Sequence, residues 1–140
     1  MCRPRLRGWV HAVATPLAVL GAWVLWRSAA PDGVRRASVL VFGVALVGLF
    51  ATSALYHLPR WEAGARRILS RCDGAMIQLF IAATFTPIAV HALSGAWRTW
   101  SLATAWTVAA VGAMVAASPV RGPRWAVAAG YVAFGWLAVV

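Results

Sequence analysis

Charge is scarce in this chain. Only 11% of its 140 residues are charged and 62% are apolar, against about 25% and 45–50% in a typical soluble domain. That balance excludes a water-soluble core and fits a polytopic membrane protein. Lysine is absent, and all 13 basic residues are Arg. Cysteine is limited to Cys2 and Cys72, too few for a disulfide framework. The topology below places both on the cytoplasmic side, which is reducing in bacteria. The net charge of +10 does not indicate nucleic acid. The Arg residues are confined to junctions between apolar runs, with no basic helix face to carry such an interface. Abundant Ala, Val, Gly and Arg without Lys suggests a GC-rich bacterial genome.

Long apolar runs are what the chain does have. Five are present, at about 9–26, 37–58, 73–93, 97–117 and 125–140. Crossing ~30 Å of hydrocarbon takes ~20 residues of helix, and the first four runs reach roughly that length. Lipid offers the backbone no hydrogen bonds, so each run is expected to be helical. The nine Trp lie mostly at run ends, where aromatic belts form. The expected fold is all-α, a single transmembrane bundle over residues 1–140.

The junctions carry breakers and charge. Residues 27–36 and 118–124 are turns, and Ser94-Gly95-Ala96 is tight. Residues 59–71 are longer, with room for a short amphipathic stretch. Arg3, Arg5 and Arg7 before the first run resemble a signal-peptide n-region, but the run from Trp9 to Trp26 exceeds a typical h-region and lacks an Ala-x-Ala exit. It reads as the first span. With the N-terminus inside, nine Arg are cytoplasmic and four (Arg27, Arg35, Arg36, Arg98) are outside. The positive-inside rule therefore predicts a multi-pass protein of the cell membrane with a cytoplasmic N-terminus. The fifth run stops at Val140 after about 16 residues, ~24 Å of helix. It reads as a truncated product.

Ser53, His57 and Asp73 are the polar residues of interest. Polar and ionisable groups at membrane depth are costly and mark functional sites by default. Ser53 and His57 are four apart and share one helix face. Asp73 opens the third run and flanks the same loop as His57, so the two lie at similar depth. A catalytic zinc takes three protein ligands and an open position for water. His57 is a plausible ligand. Ser53 is placed to hydrogen-bond the water or orient a substrate, and Asp73 to act as general base or second anchor. Spacing alone favours a plainer reading, in which Ser-x-x-x-His is an interhelical hydrogen-bonding pair and Asp73 complements the helix dipole.

Other residues have lesser roles. His11 shares the depth of His57, though an interfacial hydrogen-bonding role is the simpler reading. His91 lies 18 residues past Asp73, ~27 Å along a helix, on the outer side. Cys72 points about 100° from Asp73, so one of the pair at most faces a site. Pro87 frees a backbone carbonyl, which the Thr84 or Thr86 hydroxyl is expected to help satisfy. Ala105, Ala109, Ala113 and Ala117 form a small-residue stripe for close packing. Gln78 is about one turn past Asp73 and bundle-facing.

Four stretches carry a family resemblance. Arg5-Leu6-Arg7-Gly8-Trp9-Val10-His11 approaches the first helix, Thr52-Ser53-Ala54-Leu55-Tyr56-His57 holds the Ser-x-x-x-His, and residues 71–87 run from Arg71-Cys72-Asp73 to Thr84-Phe85-Thr86-Pro87. Tyr131-Val132-Ala133-Phe134-Gly135-Trp136-Leu137 is the fourth. Together they resemble the haemolysin III family, bacterial relatives of the adiponectin and progestin receptors and similar to the alkaline ceramidases. The resemblance implies seven helices, of which five would be present, and a cytoplasmic-side zinc. It makes His57 a metal ligand, with Ser53 and Asp73 lining the site as catalytic residues. It also implies membrane lipids as partners, a lipid amide as substrate and zinc-dependent hydrolysis as the activity. A membrane-perturbing, pore-forming haemolysin and a receptor-like homeostasis factor are the alternatives. Two departures stand out. Gly74 replaces the His that usually follows the Asp, and the family's seventh-helix His-x-x-x-His has no counterpart here.

Overall fold

A computed structural model describes residues 5–29 and 31–118. Four helices follow one another: α1 (Arg5–Ser28), α2 (Gly33–His57), α3 (Ala63–Ala92) and α4 (Gly95–Ala117). All four are long and apolar enough to cross a membrane. The described residues contain no strand. The fifth apolar run, 125–140, lies outside them.

Local chemistry sets the breaks. Asp32 stands at the α2 N-cap in an extended conformation (φ −88°, ψ 123°), and its carboxylate accepts from the Val34 N–H at 2.9 Å. This satisfies one of the donors a helix start leaves open. Gly95 has the only positive φ among the described residues, 55°, which a residue without Cβ adopts cheaply. It allows the abrupt reversal from α3 to α4.

The third helix departs from expectation. It starts at Ala63, not at Asp73, and runs unbroken for 30 residues. At ~1.5 Å per residue that is ~45 Å, longer than the hydrocarbon it crosses. Residues 63–71 are mostly Ala, Arg, Leu and Ile, with no Pro between Pro59 and Pro87. Such a stretch is helical by propensity although too charged to sit in lipid. Asp73 is therefore interior to α3, beyond the reach of a helix N-terminus, and the dipole explanation for it falls.

Two further expectations meet the structure differently. Helix α3 continues through Pro87, but the freed carbonyl of Ala83 is not where the threonines bond. Thr84 Oγ1 donates to Phe80 O and Thr86 Oγ1 to Ala82 O, each at 2.8 Å. A Thr hydroxyl reaches the carbonyl of its own preceding turn, which is four residues back. The alanine stripe of α4 is buried at Ala105 and Ala109, half-buried at Ala113 and exposed at Ala117. It serves the α3 contact only over its first half.

Small residues set the packing. Each helix packs on its sequence neighbour, and no large side chain is fully buried among the described residues. Ala82, Ala105 and Ala109 form a core between α3 and α4, flanked by Ile81, Phe85, Trp106 and Val108. Above it the Trp106 Nε1–H donates to Thr86 Oγ1 at 3.1 Å. Gly112 leaves the space that Gln78 fills, for a Cβ there would lie 2.7 Å from Gln78 Cδ. On α1 and α2, Gly8 meets His57 and Leu58 while Gly43 meets Ala22, so the two helices run antiparallel. The outward faces are apolar: Val13, Leu17, Leu20, Val41 and Val44 are all exposed. Lipid is no less apolar than these side chains. Association therefore rests on close backbone approach and the few interhelical hydrogen bonds.

Gly43 offers a direct check. A Cβ added there would sit 2.7 Å from Ala22 Cβ, whereas one added at Gly21 meets nothing within 4 Å. Gly43→Ala is expected to destabilise the α1–α2 pair by about 1–3 kcal/mol through overpacking. Gly21→Ala is expected to be neutral or stabilising by up to about 1 kcal/mol through helix propensity. Reversible unfolding in micelles or bicelles measures both, and equal effects would contradict the packing.

Candidate functional site

The site lies where α2 ends. His57 is the last residue of α2 and Ser53, one turn earlier, is buried at 7% exposure. The closing turn of a helix leaves carbonyls without partners. Here the Leu58 N–H donates to Ala54 O at 2.9 Å, and the Trp61 Nε1–H reaches back to Leu55 O at 2.7 Å. Trp61 therefore ties the following loop to the helix end that carries His57.

Helix α1 supplies the opposite wall. Gly8 is buried, and a Cβ on it would lie 3.0 Å from Leu58 Cγ and 3.1 Å from His57 Cβ. Its lack of a side chain lets α1 lie directly on the end of α2. Three residues on, His11 faces His57, with ring centroids 6.5 Å apart and planes 20° from parallel. Phe50 packs against His11 at 5.7 Å and Tyr56 against His57 at 4.6 Å. The His11 Nδ1 is buried and has no hydrogen-bond partner. A buried imidazole nitrogen without a partner is costly. It marks a position where a proton, a water or a metal has something to bind.

Asp73 approaches from α3. It shares a helix face with Met76 and Phe80, which meet Gly48 and Phe42 of α2. That antiparallel register carries Asp73 to about the level of Leu49 to Ala51, roughly two turns deeper than His57. The side chain is half-buried. Cys72, its neighbour, is exposed and free, on the wrong side of α3 to serve as a ligand. His91 is exposed at the far end of α3, where its Nδ1–H donates to Pro87 O at 2.7 Å. It has no part in the site, as its spacing from Asp73 predicts. Gln78 is buried but turned to Gly112 of α4, away from α1.

The structure thus joins His57 to His11, with Ser53 one turn deeper on α2 and Asp73 about two turns deeper on α3. Among the described residues no three of His, Cys, Asp and Glu come close enough together to hold a metal ion. Two imidazoles are one ligand short of a catalytic zinc, so these residues alone do not fit one. Sequence reasoning missed Gly8, Phe50, Tyr56 and Trp61. Gly8 and Phe50 give no signal until α1 is docked, whereas Tyr56 and Trp61 are aromatic residues flanking the His57 turn and were open to notice. The segment beside the site, from the loop after α2 into the first turns of α3, is strongly basic. Arg60, Arg66 and Arg67 are exposed and Arg71 is half-buried, with Glu62 the one carboxylate between Arg60 and Arg71.

Comparison with known proteins bears on this arrangement. Relatives from human and rat, each named monocyte to macrophage differentiation factor, are 28% identical to the chain over 83 residues. The match takes in 56% of this chain and 34% of the relative, so the chain spans about a third of the curated relatives it matches. No solved structure matches. A family model described as haemolysin-III related matches residues 1–140, the whole length over which the Ser-x-x-x-His and Asp73 stretches were read. The chain belongs to the haemolysin-III-related family.

Proposed function

We propose that this protein is a multi-pass membrane protein of haemolysin III type that hydrolyses the amide of a membrane lipid, with its site at the His57 end of the bundle. The observation that carries this reading is the stacking of His11 on His57, with the Nδ1 of His11 buried and unpartnered. Two imidazoles held at one membrane depth beside a buried Ser and a half-buried Asp are a costly arrangement with little structural return.

In this reading His57 is one ligand of a zinc ion, and the remaining ligands would be the His-x-x-x-His of a seventh helix, as the family resemblance implies. The metal would supply Lewis-acid activation. This chain's residues have separate tasks. Ser53 hydrogen-bonds and orients the substrate. Asp73, about two turns deeper than His57, accepts and returns a proton. The apolar flanks admit a lipid from the bilayer, and Arg60 with the Arg-rich start of α3 holds its anionic headgroup. The site is cytoplasmic, because the Arg excess on that side, nine against four, favours an inward N-terminus.

Four outcomes test this reading. Zinc content of the purified full-length protein is expected to fall at least tenfold in His57→Ala and to stay unchanged in His91→Ala; zinc retained without His57 would remove the ligand assignment. Asp73→Asn is expected to lower kcat for a lipid amide by about 10²–10⁴, the usual worth of a positioned acid–base group. If liposome dye leakage is the measurable activity and survives both His57→Ala and Asp73→Asn, membrane perturbation replaces hydrolysis. Alkaline phosphatase fused after Asp32 is expected to be active, and inactive when fused after Trp61. The reverse pattern would invert the topology.

A further inference from the structure

Toward the opposite end of α1 and α2 the two helices line a groove of about 500 Å³, within the ~300–1,000 Å³ range of small-molecule sites. Its walls are wholly apolar. Val19, Ala22, Trp23 and Trp26 come from α1, and Leu40, Gly43, Val44 and Val47 from α2. The floor is the contact of Gly43 with Ala22, where no side chain intervenes. Arg36 stands at the mouth. It is one turn before Leu40 on the same face of α2, and its guanidinium lies over the Trp26 ring at 5.6 Å.

The charge at this mouth is uncompensated. Arg27, Arg35 and Arg36 face a single carboxylate, Asp32, whose Oδ2 is already paired with Arg35 Nε at 3.7 Å. The Nε of Arg36 is buried with no hydrogen-bond partner. A planar guanidinium so placed favours an anion with several oxygens to accept its N–H groups, of which phosphate is the type. The dimensions fit a lipid. From Arg36 to Val47 is ~16 Å of helix, about half of the ~30 Å hydrocarbon thickness. A cation at the interface above an apolar slot one leaflet deep matches one phospholipid, with its phosphate at Arg36 and an acyl chain along Leu40, Val44 and Trp23.

We infer that the α1–α2 groove is a binding site for a single anionic phospholipid, held by Arg36 at its phosphate and by the apolar cleft along one acyl chain. This site is separate from the His11–His57 site and does not depend on the function proposed for it. It lies at the other membrane face, where the bound lipid would bridge the two helices beside their crossing at Gly43. Anionic lipids are drawn generally to membrane-facing Arg, so the claim is one of a defined stoichiometry at a defined place.

Native mass spectrometry of the detergent-solubilised full chain, titrated with phosphatidylglycerol or phosphatidylcholine, reads this directly. The wild type is expected to retain one phosphatidylglycerol at least fivefold more tightly than phosphatidylcholine. Arg36→Gln is expected to reduce that preference below twofold. Arg98→Gln, which removes an equal charge on the same membrane side, is expected to keep it. Val44→Trp fills the groove from a position already 65% exposed, so folding is unaffected while retention of either lipid falls at least fivefold. Equal losses in Arg36→Gln and Arg98→Gln would overturn the proposal in favour of diffuse attraction. So would undiminished binding in Val44→Trp, or displacement of the lipid by glycerol phosphate at equal concentration.

Discussion

The close antiparallel crossing of α1 on α2 is the contact on which both ends of this molecule depend. In lipid, apolar side chains gain little by leaving their surroundings for one another. Two helices hold together only where their backbones approach closely. Gly43 against Ala22 provides one such approach and Gly8 against His57 and Leu58 the other. Gly43 against Ala22, a contact with no flexible side chain to absorb a slip, holds the register between these points. Fixing it brings His11 to His57 at one face and leaves the Trp-lined groove under Arg36 at the other.

Such a bundle places polar groups economically. Several of its side-chain hydroxyls are spent locally. Thr15, Thr84 and Thr86 donate to carbonyls four residues back, and Ser38 to one three residues back. Trp106 and Thr86 join α4 to α3. Against that pattern of satisfied groups, the unpartnered nitrogens of His11 and Arg36 stand apart. They occur at the two ends of one helix pair, each beside aromatic rings and each lacking a partner that the described protein supplies. Unmet polar capacity in a membrane domain is where ligands bind, and here the two kinds differ: an imidazole suits a metal or proton, a guanidinium suits a phosphate.

Much of this was legible in the sequence. Hydropathy located α1, α2 and α4 to within a few residues, because length and apolar content decide what crosses a bilayer. It misplaced the start of α3, because residues 63–71 are charged yet strongly helix-forming, and hydropathy reports lipid contact and not helicity. The depth of His11, His57 and His91 followed from their positions along the spans. The contact of His11 with His57 did not, since it depends on Gly8 meeting Leu58 across two helices. Asp73 was found as a polar residue in an apolar run. Its place inside a helix, and not at the start of one, emerged only with the structure. Cys72 could be judged only as an alternative to Asp73, and its exposure decided the matter.

The most direct test of this account is the α1–α2 register in the membrane. In a chain with Cys2 and Cys72 replaced by Ser, paired cysteines at His11 and His57 should cross-link rapidly with a short bifunctional thiol reagent, while a His11–His91 pair should not. Efficient linkage confined to the first pair is the predicted result. Failure of that pair to link, or equal linkage of both, would contradict the crossing from which both sites are argued.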